Sequence, residues 1–308
     1  ISLNGDSLLM VPQKYDWAYD FSYGYVPVLI GKMWGIADAI FHLVIPDKYA
    51  ETKVLSNTFF LVRIEDKYGV VNSENEIVVD VDYDNIEFDN EVFVVKKNGK
   101  EGCVDASNQV IIPPIYDKVF PFNNKFFKVK NEDLYGIVNN QHKVVLSSEF
   151  NDIQLWGVVD TNNNTIPIDA DESNNGICST LFIIEKQDKS NESRLKGLAD
   201  SGGHILLPPT FYSIEIFEEL LPSLFIVVSK KENKSRFQNS SVIAIYKIGS
   251  DAENLVFWDS IIYEDGMFSC ERDGLSNLFN KHGEILLNWR NSTFIVPSSF
   301  SLACSSDI

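Results

Sequence analysis

The four histidines are the side chains best suited to general acid and base catalysis near neutral pH. Each lies in the polar connection before the last apolar run of a repeating unit, so the same place recurs in different units. Histidines spread over separate units do not converge on one substrate, and we interpret them as turn residues. They are His42, His142, His204 and His282.

A second candidate for chemistry is an aspartate that recurs directly after an aromatic residue. A hydrolase on a propeller needs carboxylates at the inner strand ends of several sheets, and this aspartate recurs in that way. A catalytic group is needed only once, however, so recurrence predicts a structural role such as bonding the adjacent turn. The copies are Asp16, Asp84, Asp117 and Asp259.

Familiar catalytic and cofactor-binding motifs are absent from the sequence. There is no serine nucleophile elbow, P-loop or GxGxxG segment, and 201–204 (Ser-Gly-Gly-His) is interpreted as a glycine turn between strands. We therefore predict that the protein is not an enzyme and needs no cofactor. A hydrolase on a propeller scaffold is the least favoured alternative.

Metal binding is also not expected. The densest acidic stretch places Asp80, Asp82 and Asp84 on one face if the segment is extended, followed by Glu87 and Asp89. The spacing of an EF-hand loop is absent. The four cysteines form no CxxC pair and no zinc spacing, and Cys103 is predicted to be a buried, unreactive thiol.

The elements that would position these side chains follow a fixed repeat. Aromatic residues recur every 33 or 34 residues, and glycines keep the same spacing in a second register. A third aromatic register follows the first by ten residues. The first register is Tyr15, Tyr49, Tyr83, Tyr116 and Phe150, the second is Gly35, Gly69, Gly102 and Gly136, and the third is Tyr25, Phe59, Phe93 and Phe126.

One unit consists of four short apolar or β-branched runs separated by polar turns, which predicts an antiparallel β-meander. The glycine indicates close approach of a neighbouring strand or a large ring. An Asp or Asn three residues later starts the next hairpin. Proline at 46, 113 and 208 is expected to end the last strand or lie on a sheet edge. The Asp and Asn positions are Asp38, Asn72, Asp105, Asn139, Asp160 and Asp200.

The motif at 31–38, with Trp34-Gly35 and the following Val44-Ile45-Pro46, resembles the WG-repeat family of bacterial β-rich repeat proteins. Trp156-Gly157 looks like another copy of the same signature. The resemblance implies a β-repeat array and brings no catalytic motif with it.

After residue 150 the spacing lengthens, with the next aromatic positions at 211, 258 and 289. We attribute this to insertions near 154–176, 187–194 and 230–241 in a single repeat domain that spans residues 1–308. Without them, Gly197 falls on the glycine register, where Ala244 and Asn277 stand in later units.

The predicted fold is therefore all-β, with about seven to eight units of 34 residues. A lone first strand at 8–12 and half a unit at 289–304 could together complete one blade, which favours a β-propeller with a composite closing blade. The alternative is an open β-solenoid, whose terminal half-units are caps. The start at Ile1 is compatible with a removed leader or with a fragment of a longer chain.

The net charge limits the classes of partner that the protein can bind. The chain has 26 Lys and Arg against 44 Asp and Glu, a net charge of −18, which opposes nucleic-acid binding. No apolar stretch is long enough to span a membrane. We predict a non-catalytic scaffold for a protein partner, and the acidity is compatible with a basic one. The alternative is a carbohydrate or cell-surface ligand module using Trp156, Trp258 and Trp289, although core packing is the preferred interpretation of these rings.

The insertion near 154–176 is the predicted partner-binding surface, because no packing rule requires its acidic, Asn-rich run. The residues proposed for it are Trp156, Asp169, Asp171, Glu172, Asn174 and Asn175.

Overall fold

All of the regular secondary structure in the described part of the chain is β-strand, and the chain is all-β. The strands belong to two compact units, residues 1–149 and 150–308, which are considered separately. The single-domain organisation, the β-propeller and the open β-solenoid stay predictions. The computed structural model describes residues 2–3, 7–8, 14–160, 165–166, 177–188, 193–216, 225–235, 238–247, 255, 257–264, 267–272, 275–280 and 285–289.

The first unit contains four antiparallel sheets, each formed by four strands in chain order. The first sheet comprises β3 (Trp17–Ala18), β4 (Tyr25–Ile30), β5 (Met33–Asp38) and β6 (Leu43–Tyr49). The second comprises β7 (Glu51–Val54), β8 (Phe60–Ile64), β9 (Lys67–Val71) and β10 (Ile77–Tyr83). The third comprises β11 (Asn85–Asp89), β12 (Val92–Lys97), β13 (Lys100–Val104) and β14 (Val110–Tyr116). The fourth comprises β15 (Lys118–Pro121), β16 (Phe126–Asn131), β17 (Leu134–Asn139) and β18 (Val144–Phe150).

Before these sheets, β1 (Ser2–Leu3) pairs with β2 (Ser7–Leu8) in a two-stranded sheet. The predicted first strand at 8–12 therefore begins inside β2, and its remaining residues lie outside the described part. The predicted half-unit at 289–304 also lies outside it, apart from residue 289.

Apolar layers separate successive sheets of the first unit, because neighbouring residues of a strand point to opposite faces. In β8, Val62 belongs to the cluster shared with the first sheet, whereas Leu61 belongs to the cluster shared with the third. Phe60, Phe93 and Phe127 are fully buried at equivalent positions of the second strands. The third aromatic register was therefore off by one residue at 59 and 126.

The glycine register marks a bulge in the fourth strand. Trp34 pairs with Tyr49 and Ile36 with Ile45, so β6 has two more residues than β5 between these pairs. A Cβ added to Gly35 would lie 2.6 Å from the Ile45 carbonyl oxygen. The predicted close approach is therefore made by a neighbouring strand and not by an aromatic ring. The same approach occurs at Gly69 with Val79, Gly102 with Ile112, Gly136 with Leu146 and Gly197 with Leu207.

The prolines lie in edge strands, as predicted, but within this bulge and not at the end of the strand. β14 continues past Pro113 and Pro114 to Tyr116. A bulged residue in an edge strand leaves the ladder, so the missing N–H of proline costs little there. Gly102 faces both prolines: an added Cβ would lie 2.7 Å from Pro113 C and 2.7 Å from Pro114 N.

The second unit contains three further sheets. The fifth comprises β19 (Asp152–Asp160), β20 (Thr165–Ile166), β21 (Ile177–Gln187), β22 (Arg194–Asp200) and β23 (Ile205–Phe211), in the order β20-β19-β21-β22-β23. The sixth comprises β24 (Ser213–Ile216), β25 (Phe225–Ser235) and β26 (Gln238–Lys247). The seventh comprises β27 (Ser260–Glu264), β28 (Met267–Arg272), β29 (Leu275–Asn280) and β30 (Ile285–Trp289).

The predicted insertions correspond to lengthened hairpins of the second unit. Of residues 154–176, the described ones belong to β19, which continues to Asp160, and to the extra edge strand β20 that pairs with it. Residues 230–241 extend β25 and β26, which stay paired as far as Ser235 and Gln238. The connection from β21 to β22 falls within 187–194. The described hairpins of the second unit therefore differ in length from those of the regular four-stranded sheets.

Trp156-Gly157 is not another copy of the repeat signature, and that interpretation is wrong. The pair lies in β19, which occupies the place of a first strand, whereas Trp34-Gly35 lies in a third strand. An added Cβ on Gly157 meets no atom within 4 Å. The Trp-Gly dipeptide alone was misleading, because Gly157 does not face the bulged fourth strand that requires a glycine at the other positions.

Candidate functional site

The recurring aspartates bond hairpin turns, as predicted. Asp16 accepts a hydrogen bond from the Gly31 amide at 2.6 Å, and Asp117 accepts one from the Glu132 amide at 2.6 Å. Asp84 accepts the Asn98 amide at 2.7 Å. Each of these carboxylates therefore has one oxygen hydrogen-bonded to a turn amide.

Two of these aspartates also join successive sheets. Lys67 of the second sheet donates to Asp84 at 2.6 Å, and Lys100 of the third sheet donates to Asp117 at 2.6 Å. These hydrogen bonds are the main reason that the pKa of each carboxyl is lowered. Both carboxylates are thus held ionised by neighbouring lysines.

The Asp and Asn of the third strand close the following turn. The Asp105 carboxylate accepts the amides of Ser107 at 2.8 Å and Gln109 at 2.9 Å. Each copy accepts amides two and four residues ahead, which is the bonding that favours Asp and Asn at turns. The side chain of Asp160 lies outside the described set. The other copies are Asp38, Asn72, Asn139 and Asp200.

Three tyrosines of the first register also bond these turns. Tyr15 donates its hydroxyl to the Phe41 carbonyl at 2.7 Å, and Tyr49 donates to the Asn75 side chain at 2.7 Å. Tyr116 hydrogen-bonds His142 at 2.9 Å. Both Tyr49 and Tyr116 end one sheet and contact the turn of the next, so the anchors link neighbouring sheets.

The histidines occupy the predicted turns. His42, His142 and His204 lie between third and fourth strands of different sheets, and His282 lies outside the described residues. His142 has φ of 56°, and Asn75 and Asn108 at the equivalent place have φ of 61° and 62°. The backbone conformation of the turn is therefore the same whether His142 or an asparagine stands at this position.

The predicted partner-binding residues are described only at Trp156. Its side chain is half-buried and packs against the cluster of Leu181, Leu198 and Phe211. Trp258 is also half-buried and makes an edge contact with Phe279. Core packing is thus confirmed for Trp156 and stays a prediction for Trp258. Asp169, Asp171, Glu172, Asn174 and Asn175 lie outside the described residues.

A cleft of about 460 Å³ lies between the first and second sheets. The loop from β3 to β4 supplies Tyr19 to one side, where its ring stacks on Trp34 with centroids 4.9 Å apart and planes inclined by 13°. Pro27, Thr52 and Val54 are buried and form the floor. Tyr19 remains 54% exposed, so an aromatic surface faces solvent at the cleft.

The rim of the cleft carries both hydrogen-bond donors and acceptors. The side chains of Asp20 and Lys53 are exposed. Within the described residues, neither side chain has a hydrogen-bond or ion-pair partner. Glu51 is already bonded, since Arg63 and Tyr68 each donate to its carboxylate at 3.0 Å. The unpaired groups of the rim are therefore one anion and one cation. We call this the aromatic cleft.

Sequence reasoning missed the aromatic cleft. A usable signal was the segment 19–25, where every second residue is aromatic although the matching loop of the third sheet has only Asn90 and Glu91. A non-repeating segment on a repeated scaffold is where binding residues concentrate. Stacking of Tyr19 on Trp34 depends on the turn between them and was not predictable from spacing.

Other reactive groups give no site. Burial raises the pKa of the Cys103 thiol to about 12, consistent with the predicted unreactive core cysteine. Among the described residues, no three His, Cys, Asp or Glu side chains are grouped to hold a metal ion. The described part of the chain contains no helix of the length and hydropathy that a membrane span requires.

Solved structures with some similarity share little sequence with the chain. A eukaryotic initiation factor is 9% identical, with a TM-score of 0.32 over 91% of this chain and 88% of that one. Hsv2p of Kluyveromyces lactis is 11% identical, with a TM-score of 0.30 over 86% and 94%. Scores this low carry no functional conclusion. No curated protein sequence matches the chain.

The repeats themselves do match a family. The model for the WG containing repeat matches residues 9–34, 68–100 and 102–135. These matches fall in the first unit, where the glycines face a bulged fourth strand. The chain therefore contains repeats of the WG family, as its Trp34-Gly35 and Tyr68-Gly69 motifs predict.

Proposed function

We propose that the protein is a non-catalytic scaffold that binds a protein partner. One observation carries the proposal: the polar residues that recur among the described sheets are used by the hairpin turns. Asp117 and Asp105 illustrate this, since both accept turn amides. Recognition then depends on the parts that do not repeat.

The hairpins of the second unit are the proposed protein-binding surface. They extend a sheet framework whose core is apolar and buried, including Leu198 and Leu207. Their acidic run at 169–175 and the net charge of −18 favour a basic partner.

Affinity capture from the native cell tests this proposal. The full chain is compared with a variant in which residues 168–176 are replaced by a Gly-Ser linker of equal length. We expect the full chain to retain a stoichiometric protein that the variant loses. A matched control replaces residues 189–192 in the same way and should retain that protein.

Two outcomes oppose the proposal. Full retention of the partner by the 168–176 variant removes the binding role from this hairpin. Absence of any stoichiometric protein partner removes protein binding itself. A thermal midpoint equal to that of the unaltered chain shows that a replacement leaves folding undisturbed.

A further inference from the structure

We propose that the aromatic cleft binds a neutral sugar ring of an oligosaccharide. The site lies in the first unit and goes beyond protein binding by the second unit. It is formed by the loop from β3 to β4 together with β5 and β7. Its volume of about 460 Å³ lies in the usual range for ligand sites.

The aromatic side of the cleft suits the apolar face of a sugar. Tyr19 stacks nearly parallel on Trp34, so Trp34 supports the ring of Tyr19, and the exposed side of that ring presents an aromatic surface to solvent. The C–H groups of a pyranose ring are weakly positive, and the face of an aromatic ring is negative, so the two attract each other. A flat surface of this kind favours a ring over an extended aliphatic chain.

The rim suits the hydroxyl groups of a sugar. Asp20 accepts hydrogen bonds, Lys53 donates them, and the hydroxyl of Ser22 does both. Sugar hydroxyls are likewise donors and acceptors. Because Asp20 and Lys53 lack partners within the described residues, they are available for a ligand without breaking an existing bond.

The free charges at the cleft balance. Glu51 is neutralised by Arg63 at 3.0 Å, which leaves one exposed anion, Asp20, and one exposed cation, Lys53. The rim therefore has no net charge that would select a cationic or an anionic ligand, and it offers hydrogen bonds to a polar, uncharged one.

A hydrogen bond in the floor joins the two sheets that form the cleft. The Thr52 hydroxyl donates to the Gly35 carbonyl at 3.2 Å and is only 4% exposed. This bond joins the second sheet to the third strand of the first. Trp34 and Thr52 are thus fixed by the same strand, which keeps both sides of the cleft in register.

Calorimetric titration of the full chain tests the proposal with four neutral hexasaccharides: cellohexaose, xylohexaose, maltohexaose and hexa-N-acetylchitohexaose. We expect saturable binding of at least one of them. Trp34→Ala should weaken that binding tenfold or more. Asp20→Asn, an exposed change that leaves packing intact, should weaken it several-fold.

The matched control is Tyr135→Ala, which removes the aromatic residue at the position of Trp34 in the fourth sheet and should leave sugar affinity unchanged. No saturable binding of any of the four sugars at millimolar concentration would overturn the proposal. Equal affinity in the unaltered chain, Trp34→Ala and Asp20→Asn would also overturn it. Binding of a neutral Gly-Ser hexapeptide in place of the sugars would assign the cleft to peptides.

Discussion

The third sheet and the seventh sheet differ at one position of the third strand. In the third sheet this residue is Gly102, and β14 bulges opposite it, with Glu101 paired to Tyr116 and Cys103 to Ile112. In the seventh sheet it is Asn277, which pairs directly with Asn288. The seventh sheet therefore lacks the glycine and the bulge opposite it, and its register shift lies further along, between Leu278 and Phe279.

This difference shows what the repeated glycine does. A Cβ is tolerated at Asn277 because β30 runs straight past it, whereas the carbonyl of a bulged strand occupies that space at Gly35 and Gly136. The glycine and the bulge therefore occur together, because the bulged strand occupies the space that a side chain would need. The family signature marks the geometry of the fourth strand and not a functional group.

The largest expected effect comes from breaking this pairing at Gly102. Gly102→Val should lower stability by about 3 kcal/mol, because the new side chain overlaps backbone atoms of Ile112 and Pro113 that cannot rotate away. Urea denaturation measures the change. Gly157→Val is the matched control: its Cβ meets open space, so the change should stay within about 0.5 kcal/mol. Equal losses in both variants would contradict this role of glycine.

The next effect concerns the turn that follows the third strand. Asp105→Ala should cost about 1.5 kcal/mol, since it leaves the amides of Ser107 and Gln109 without their acceptor. Asp105→Asn should be nearly neutral, because Asn72 and Asn139 make the same bonds in neighbouring sheets. Thermal midpoints compare the two variants. A loss in Asp105→Asn as large as in Asp105→Ala would point to charge and not to turn bonding.

A smaller effect is expected where an anchor tyrosine joins two sheets. Tyr116→Phe should cost about 1 kcal/mol, because the ring stays buried while its bond to His142 is lost. Phe150, the next anchor, fills the same place without a hydroxyl. A double-mutant cycle with His142→Ala measures the pairwise energy. If the double variant loses the sum of the two single losses, the pairwise energy is zero, and the bond does not link the two sheets.

The smallest effect is the pH dependence of the link between the second and third sheets. The pKa of Asp84 is lowered in the folded protein, first by its bond with Lys67. Its contribution is therefore present above the ordinary pKa of 3.8 and is lost as pH falls through the lower folded value. Asp84→Ala should flatten the acid side of the stability curve. An unchanged acid slope would contradict this assignment.

The regular part of the fold was predictable because its residues are dictated locally. Aromatic, glycine and Asp or Asn positions each satisfy a neighbour at fixed sequence distance, so their spacing predicts the strands and turns. Strand faces were less predictable, because Phe59-Phe60 and Phe126-Phe127 each offer two adjacent rings for one buried site.

The aromatic cleft was not predictable for a different reason. It joins the loop at Tyr19 to Trp34 and to the floor at Thr52, which come from two sheets. No periodic signal links such positions. Tryptophan at 156 attracted attention as part of a dipeptide motif, although its ring packs on the core of the second unit.

Hydrogen exchange of single turn amides tests most directly whether the repeated polar residues serve the scaffold. The amides of Gly31, Asn98 and Glu132 donate to the recurring aspartates, although they lie in exposed turns. We predict that they exchange more slowly than turn amides that donate to no carboxylate, and that Asp84→Ala removes the protection of Asn98, and of Gly99 in the same turn, but not that of Gly31 or Glu132. Fast exchange of all three amides in the unaltered chain would contradict the structural role of these aspartates.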